Sequence, residues 1–303
     1  MRSIGMAKKF HGIYCPSITI TKKNGDIDYN LWGRHLDHLI DAGIDGVLIF
    51  GSIGEFYAFD LETKKKVIQY VSDHVACRMK VLVGIGGTNP DEVVDFAINA
   101  EESGADGVVA VAPYYFGPSN EAAEDYYDMI CKSIKLPVLL YNFPPRTGMD
   151  LSPDLVVKLV SSHPNIVGIK DTVDTISHTR KVIAAVRKVN PDFCVLSGFD
   201  EYYTANRIAG GDGVLCGLTN VEPETFVAMH SAYEHEDYQT ALRCAERVNA
   251  LMQIYDVADL FISSIKGAVK AKGLPICTDI RKPAVQLTSD QEARIADILE
   301  SRL

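Results

Sequence analysis

The chain has 303 residues, is 47% hydrophobic and 23% charged, and carries a formal net charge of -10 at pH 7. That suits a large core, built as one α/β barrel or as two domains, and the acidic balance without any Lys/Arg-rich run sets nucleic acid and anionic membrane surfaces aside as partners. The seven cysteines are scattered, odd in number and never spaced C-x-x-C, no apolar run reaches membrane-spanning length, and "MRSIGMAKKF" lacks the apolar core of a signal peptide, so a reduced, cytoplasmic protein is expected.

Short apolar runs alternate with longer segments of helical period from residue 10 to about residue 230. In chain order the runs are "GIYCPSITI" (12–20), "GVLIFG" (46–51), "KVLVGIG" (80–86), "GVVAVAP" (107–113), "PVLLYNFP" (137–144), "IVGIKDT" (166–172), "FCVLSGF" (193–199) and "GVLCG" (213–217). "DAGIDGV", "ESGADGV" and "AGGDGV" each close a helix on a glycine cap and feed the next strand through an Asp-Gly turn. Eight strand-helix units predict a closed (β/α)₈ TIM barrel over residues 1–230. An open doubly wound sheet would carry a Gly-rich phosphate loop after its first strand, and "CPSITITKKNG" is no such loop. Beyond residue 230, "EDYQTALRCAERVNALMQIY", "ADLFISSIKGAVKAKG" and "TSDQEARIADILESR" predict a C-terminal helical appendage, residues 231–303, packed on the barrel.

Chemistry in such barrels sits at the C-terminal ends of the strands. Strand six ends on Lys170, on the same face as Ile166 and Gly168, and strand five carries Tyr141 at a similar height. Burial of an amine favours its uncharged, nucleophilic form. Lys170 beside a phenol therefore suits carbonyl chemistry, the lysine forming a Schiff base and Tyr141 carrying protons. The plain alternatives are a structural ion pair of Lys170 with Asp171 and simple packing of Tyr141. "FGSIGEF" (50–56) offers backbone N–H groups to an anion or is an ordinary turn, and "GIGGTN" (84–89) carries the same ambiguity. Arg146, in a loop stiffened by Pro144 and Pro145, can clamp a carboxylate or remain a solvated cation. Gly198, Asp200 and Glu201 end strand seven, where two carboxylates suit substrate hydroxyls or cap the next helix. His35 and His38 find no third ligand at metal-site spacing, so no metal is expected, and no G-x-S-x-G elbow is present.

"GSIGE", "APYY", "YNFPPRTG", "GIKDT" and "SGFDE" occur in order along the chain. Taken together they resemble the pyruvate-dependent class I aldolases typified by dihydrodipicolinate synthase and N-acetylneuraminate lyase, from about residue 10 to the end. The resemblance implies that Lys170 attacks the C2 carbonyl of pyruvate or another 2-keto acid, that Tyr141 shuttles protons, and that Ser52 links it to a second tyrosine, Tyr115. In many members that tyrosine is offered by a neighbouring subunit, which implies a homo-oligomer, commonly a dimer of dimers. The loop at Gly51, Ser52 and Ile53 would bind the pyruvate carboxylate, and no cofactor beyond the covalent lysine is implied. Ile53 departs from the family pattern, which places Ser or Thr there, so that hydroxyl's role does not carry over. Glu55 matches the motif and takes a structural part.

Three features place the chain nearest the 2-keto-3-deoxy sugar acid aldolases: "SGFDE", with Asp200 and Glu201 set for substrate hydroxyls; Thr172, where that branch contacts a hydroxyl; and the loop without a second hydroxyl at Ile53. Leu215, at the end of strand eight, joins Arg146, Thr172 and Gly198 in the substrate-binding set. Arg146 favours the alternative, condensation of pyruvate with aspartate semialdehyde. N-acetylneuraminate cleavage and a 2-keto acid dehydratase are further outcomes on the same scaffold. A non-catalytic barrel is disfavoured by the intact set of Lys170, Tyr141, Ser52 and Tyr115.

Overall fold

The computed structural model describes residues 10–301. Eight strands close into a barrel in chain order. They are β1 (Gly12–Pro16), β2 (Gly46–Ile49), β3 (Lys80–Ile85), β4 (Gly107–Val111), β5 (Val138–Asn142), β6 (Ile166–Asp171), β7 (Cys194–Ser197) and β8 (Gly213–Leu215). The strand pairs β1/β2, β2/β3 and those from β4 through β8 are parallel. The (β/α)₈ expectation is met, and helices follow residue 230 at Tyr238–Leu251, Phe261–Ala271 and Ser289–Glu300.

Several strands stop short of the apolar runs that announce them, for local reasons. β1 ends at Pro16, which has no N–H for the ladder, although Ser17, Ile18, Thr19 and Ile20 stay buried beyond it. β2 ends at Ile49 because Phe50 turns the chain with φ of 53°. The recurring glycine phrase acts as expected: Gly43, Gly104 and Gly210 take φ of 87°, 77° and 91°. Its aspartates do more than turn the chain. The Asp45 carboxylate accepts the Ile13 N–H at 2.7 Å, and that of Asp212 accepts the Val195 N–H at 2.8 Å. Each therefore ties an incoming strand to the start of the strand before it.

The described residues form two compact units, one running up to Gly12 and over Gly84–Leu215, the other over Ile13–Val83 and from Cys216 onward. In the first unit the register sets Val111, Tyr141, Lys170, Leu196 and Gly213 in one row across β4 to β8. The row beneath holds Leu139, Gly168 and Cys194. A Cβ on Gly168 would meet Cys194 Cβ at 3.0 Å and Leu139 Cγ at 3.2 Å. The room left by this glycine is therefore taken up by its neighbours and supports the lysine row from below.

In the second unit the helix Tyr238–Leu251 packs on the helix Pro223–Glu234, and Phe261–Ala271 on Ser289–Glu300. Residues 262–269 are all buried, Lys266 among them. Thr288 and Gln291 start the last helix with a reciprocal capping box.

Candidate active site

Lys170 and Tyr141 are paired in register on adjacent strands, each 5% exposed. Lys170 Nζ lies over the Tyr141 ring, 4.3 Å from its centre. The Tyr141 ring stacks on Phe143 (centroids 6.0 Å apart), and the Arg146 guanidinium lies 5.8 Å from the Phe143 ring centre. Lysine, phenol and arginine are thus linked through one aromatic stack at the end of β5. Arg146 itself is exposed.

The ion pair between Lys170 and Asp171, weighed from sequence, does not form. The two side chains leave the strand on opposite faces. Asp171 is satisfied on the outer face: it accepts from Asn142 Nδ2 at 3.1 Å, Thr179 Oγ1 at 2.6 Å and His178 Nδ1 at 3.0 Å. Among the described residues no carboxylate lies within ion-pairing distance of Lys170. Asn142 Nδ2 also donates to Asp150 at 2.9 Å, and its Oδ1 accepts from the Leu151 N–H at 3.0 Å. His178 Nε2 lies 3.2 Å from Asp150 Oδ1, within ion-pairing range though not aligned as a hydrogen bond. Burial alone would lower the His178 pKa, but the Asp171 and Asp150 carboxylates outweigh it, and the value is raised. Nothing in the sequence pattern pointed to this network, because its members are polar residues on the side of the strands turned away from Lys170.

At the ends of β6 and β7 two polar side-chain atoms have no partner among the described residues. Thr172 Oγ1 and Glu201 Oε2 are both buried without a hydrogen bond. The Thr172 hydroxyl lies directly over Gly198, where a Cβ would sit 1.8 Å from it, so only glycine fits. Burial first, then the negative charges of Asp200 and Asp174, raises the Glu201 pKa. Asp200 is buried, and Asp174 accepts from the Tyr202 hydroxyl at 2.6 Å, a bond that pushes that phenol up to about 12. Leu215 is fully buried at the end of β8, two residues beyond Gly213 in the lysine row and so on the same face.

Tyr115 is 83% exposed and Phe116 89%, their rings meeting edge to face at 4.7 Å. Tyr115 takes a φ of 84°. Gly117 brings this loop against the one carrying Arg146, where a Cβ would lie 2.9 Å from the Gly148 carbonyl. In "GIGGTN", Gly86 is closely packed, its Cβ position 2.2 Å from Val111 Cγ1.

In the second unit Gly51 is buried and Ser52 is partly exposed. Ile53, at 7% exposure, turns its side chain into apolar packing: a Cβ on Gly217 would meet Ile53 Cδ1 at 2.6 Å. That is what replaces the missing hydroxyl. Glu55 Oε1 accepts from Lys266 Nζ at 2.6 Å, the structural part expected of it. His35 is buried and its Nε2 donates to Asn220 Oδ1 at 3.0 Å; burial lowers its pKa to about 4, so it is neutral.

A buried lysine set against a tyrosine at the strand ends of a barrel has the make-up suited to Schiff-base chemistry on a carbonyl. The chain belongs to the dihydrodipicolinate synthetase family, whose description matches residues 9–302, and is an enzyme of that family's pyruvate-dependent class I lyases. It is 36% identical over 291 residues to YagE of Escherichia coli K12, provisionally named a 2-dehydro-3-deoxy-D-gluconate aldolase, covering 96% of both chains. YjhH of the same strain, provisionally named a 2-dehydro-3-deoxy-D-pentonate aldolase, is 35% identical over 97% of this chain and 98% of that protein. The 4-hydroxy-tetrahydrodipicolinate synthase of Methanosphaerula palustris is 36% identical over 96% of this chain and 99% of that protein. The crystal structure of YagE in complex with pyruvate superposes with a TM-score of 0.94, covering 96% of this chain and 98% of that one. No described helix is long and apolar enough to cross a membrane.

Proposed function

We propose that the protein is a Schiff-base aldolase cleaving a 2-keto-3-deoxy sugar acid, such as 2-keto-3-deoxygluconate, to pyruvate and a hydroxy-aldehyde. The observation that carries this reading is the pair of buried, unpartnered oxygens on Thr172 and Glu201, just beyond the ends of β6 and β7. A buried polar atom without a partner is unfavourable, and a substrate hydroxyl relieves it. The names of YagE and YjhH favour the same class. Identity alone does not choose, since the Methanosphaerula synthase is as similar as YagE.

The Lys170 amine adds to the C2 carbonyl and loses water, giving an iminium that draws electrons from C3. Tyr141 gives its proton to the hydroxyl that leaves as water, then takes the proton of the C4 hydroxyl as the C3–C4 bond breaks, and the aldehyde leaves. The enamine regains a proton at C3 from Tyr141, and water releases pyruvate and the free amine. The N–H groups of Gly51 to Ile53 hold the keto-acid carboxylate, and Ser52 belongs to the proton path that ends on Tyr115. Asp200 and Glu201 take the distal hydroxyls, and Leu215 walls the chain. The lysine itself is the electron sink, so the reaction needs no cofactor. The related YagE is seen in complex with pyruvate. The exposure of Tyr115 and Phe116 agrees with a tyrosine that serves a neighbouring copy, in a dimer of dimers placed in the cytoplasm.

A second reading keeps Arg146 as the clamp for aspartate semialdehyde, supported by its position three residues past the Phe143 ring over which it lies. Comparing pyruvate release from 2-keto-3-deoxygluconate and N-acetylneuraminate with condensation of aspartate semialdehyde separates the two. Faster turnover of the semialdehyde than of every sugar acid overturns the preferred reading.

A further inference from the structure

The turn at residues 50–55 is held in a conformation that side chains resist. Phe50 and Glu55 take φ of 53° and 55°, left-handed values for residues with a Cβ. A Cβ on Gly54, between them, would lie 3.0 Å from Phe50 N and 3.1 Å from the Ser17 carbonyl. Such a backbone persists only where its surroundings impose it.

Glu55 ties the turn to its surroundings, and Thr19 Oγ1 donates to the Gly54 carbonyl within it at 2.7 Å. Glu55 Oε1 accepts from Lys266 Nζ at 2.6 Å and its Oε2 from the Arg281 backbone N–H at 3.0 Å. Its own N–H donates to the Ser52 carbonyl at 3.2 Å, and its carbonyl accepts from Ala58 at 2.8 Å. Lys266 is 0% and Glu55 1% exposed, and Lys266 Nζ also donates to the Asp279 carbonyl at 3.2 Å. The Arg281 guanidinium closes the outer side, 4.9 Å from the Phe59 ring centre and donating to the Gly25 carbonyl at 2.9 Å.

Two charges removed wholly from water are a poor source of stability, since well-packed apolar residues often do as well, but they are exacting about position. The element they position here is the turn that contains Gly51, Ser52 and Ile53. We propose that Lys266 is a positioning residue for keto-acid binding. Acting through Glu55, it holds the turn so that the Gly51–Ile53 N–H groups present to a carboxylate, and the helix Phe261–Ala271 thereby takes part in substrate recognition. This rests on the keto-acid reading of the site.

The experiment follows borohydride trapping of the pyruvate adduct against pyruvate concentration, below each variant's melting temperature. Lys266→Met leaves Glu55 alone in the core, so the double variant Glu55→Gln/Lys266→Met, which buries no lone charge, is measured beside it. Half-saturating pyruvate is expected to rise roughly tenfold or more, as for displaced binding groups, while adduct still forms on Lys170 at saturation. Amides of residues 50–56 are expected to exchange faster with solvent. Unchanged half-saturation and unchanged exchange in the double variant, whatever its melting temperature, overturn the proposal. A wild type that traps no pyruvate overturns the keto-acid reading beneath it, which is a different result.

Discussion

Lys170 Nζ sits 4.3 Å from the centre of the Tyr141 ring, one strand away and in the same row of the barrel. In the proposed mechanism the ring places the amine and the hydroxyl moves protons. Tyr141→Phe should therefore keep the borohydride-trapped pyruvate adduct but slow aldol cleavage by about 10²- to 10⁴-fold, the usual contribution of a positioned acid-base group. Steady-state cleavage and adduct mass, measured on the same preparation, check it. Turnover within twofold of wild type would remove Tyr141 from the proton path.

Thr172→Val exchanges a buried hydroxyl without a partner for a methyl of the same shape. Stability should hold or rise slightly, because no hydrogen bond within the protein is lost. kcat/KM for the sugar acid should fall about 10- to 100-fold, as for a lost substrate hydrogen bond, with trapping of pyruvate alone unchanged. An equal fall for both would assign Thr172 to the lysine's surroundings and not to the distal hydroxyls.

His178 bridges Asp171 and Asp150 behind the site, and those carboxylates raise its pKa above the ordinary value. A histidine with a raised folded-state pKa stabilises the fold fully below its unfolded value, about 6.5, and loses that contribution as pH climbs through the raised one. His178→Asn should consequently lower the melting temperature more at pH 6 than at pH 9. A loss that is the same at both values would show that its charge has no part in joining β6 to the loop after β5.

Gly168→Ala places a methyl against Cys194 and Leu139 in the row beneath the lysine. Overpacking of this kind costs about 1 to 3 kcal/mol, read as a lower denaturant midpoint. An unchanged midpoint would mean that the row has slack the structure does not show.

The barrel was legible because strand-helix alternation and the glycine caps are local signals, each confined to a few neighbouring residues. Lys170 and Tyr141 were legible for a related reason. A lysine in an apolar run is anomalous, and consecutive strands of a barrel are neighbours. Strand ends were less legible: Phe50 reads as one more apolar residue of β2, and only its left-handed backbone shows that the turn has begun. Lys266 was hidden by its setting. In "SSIKGAVK" a lysine looks like the solvent face of an amphipathic helix, and its partner lies 211 residues earlier. The empty valences of Thr172 and Glu201 are properties of packing, visible only once their neighbours are in place.

The central claim is that Lys170 forms the covalent intermediate. Incubation with pyruvate and borohydride, followed by mass analysis of peptides, tests it directly. One reduced pyruvate adduct is expected on the peptide containing Lys170, absent from Lys170→Ala. No adduct in the wild type, or the same adduct on another peptide in both proteins, would contradict it.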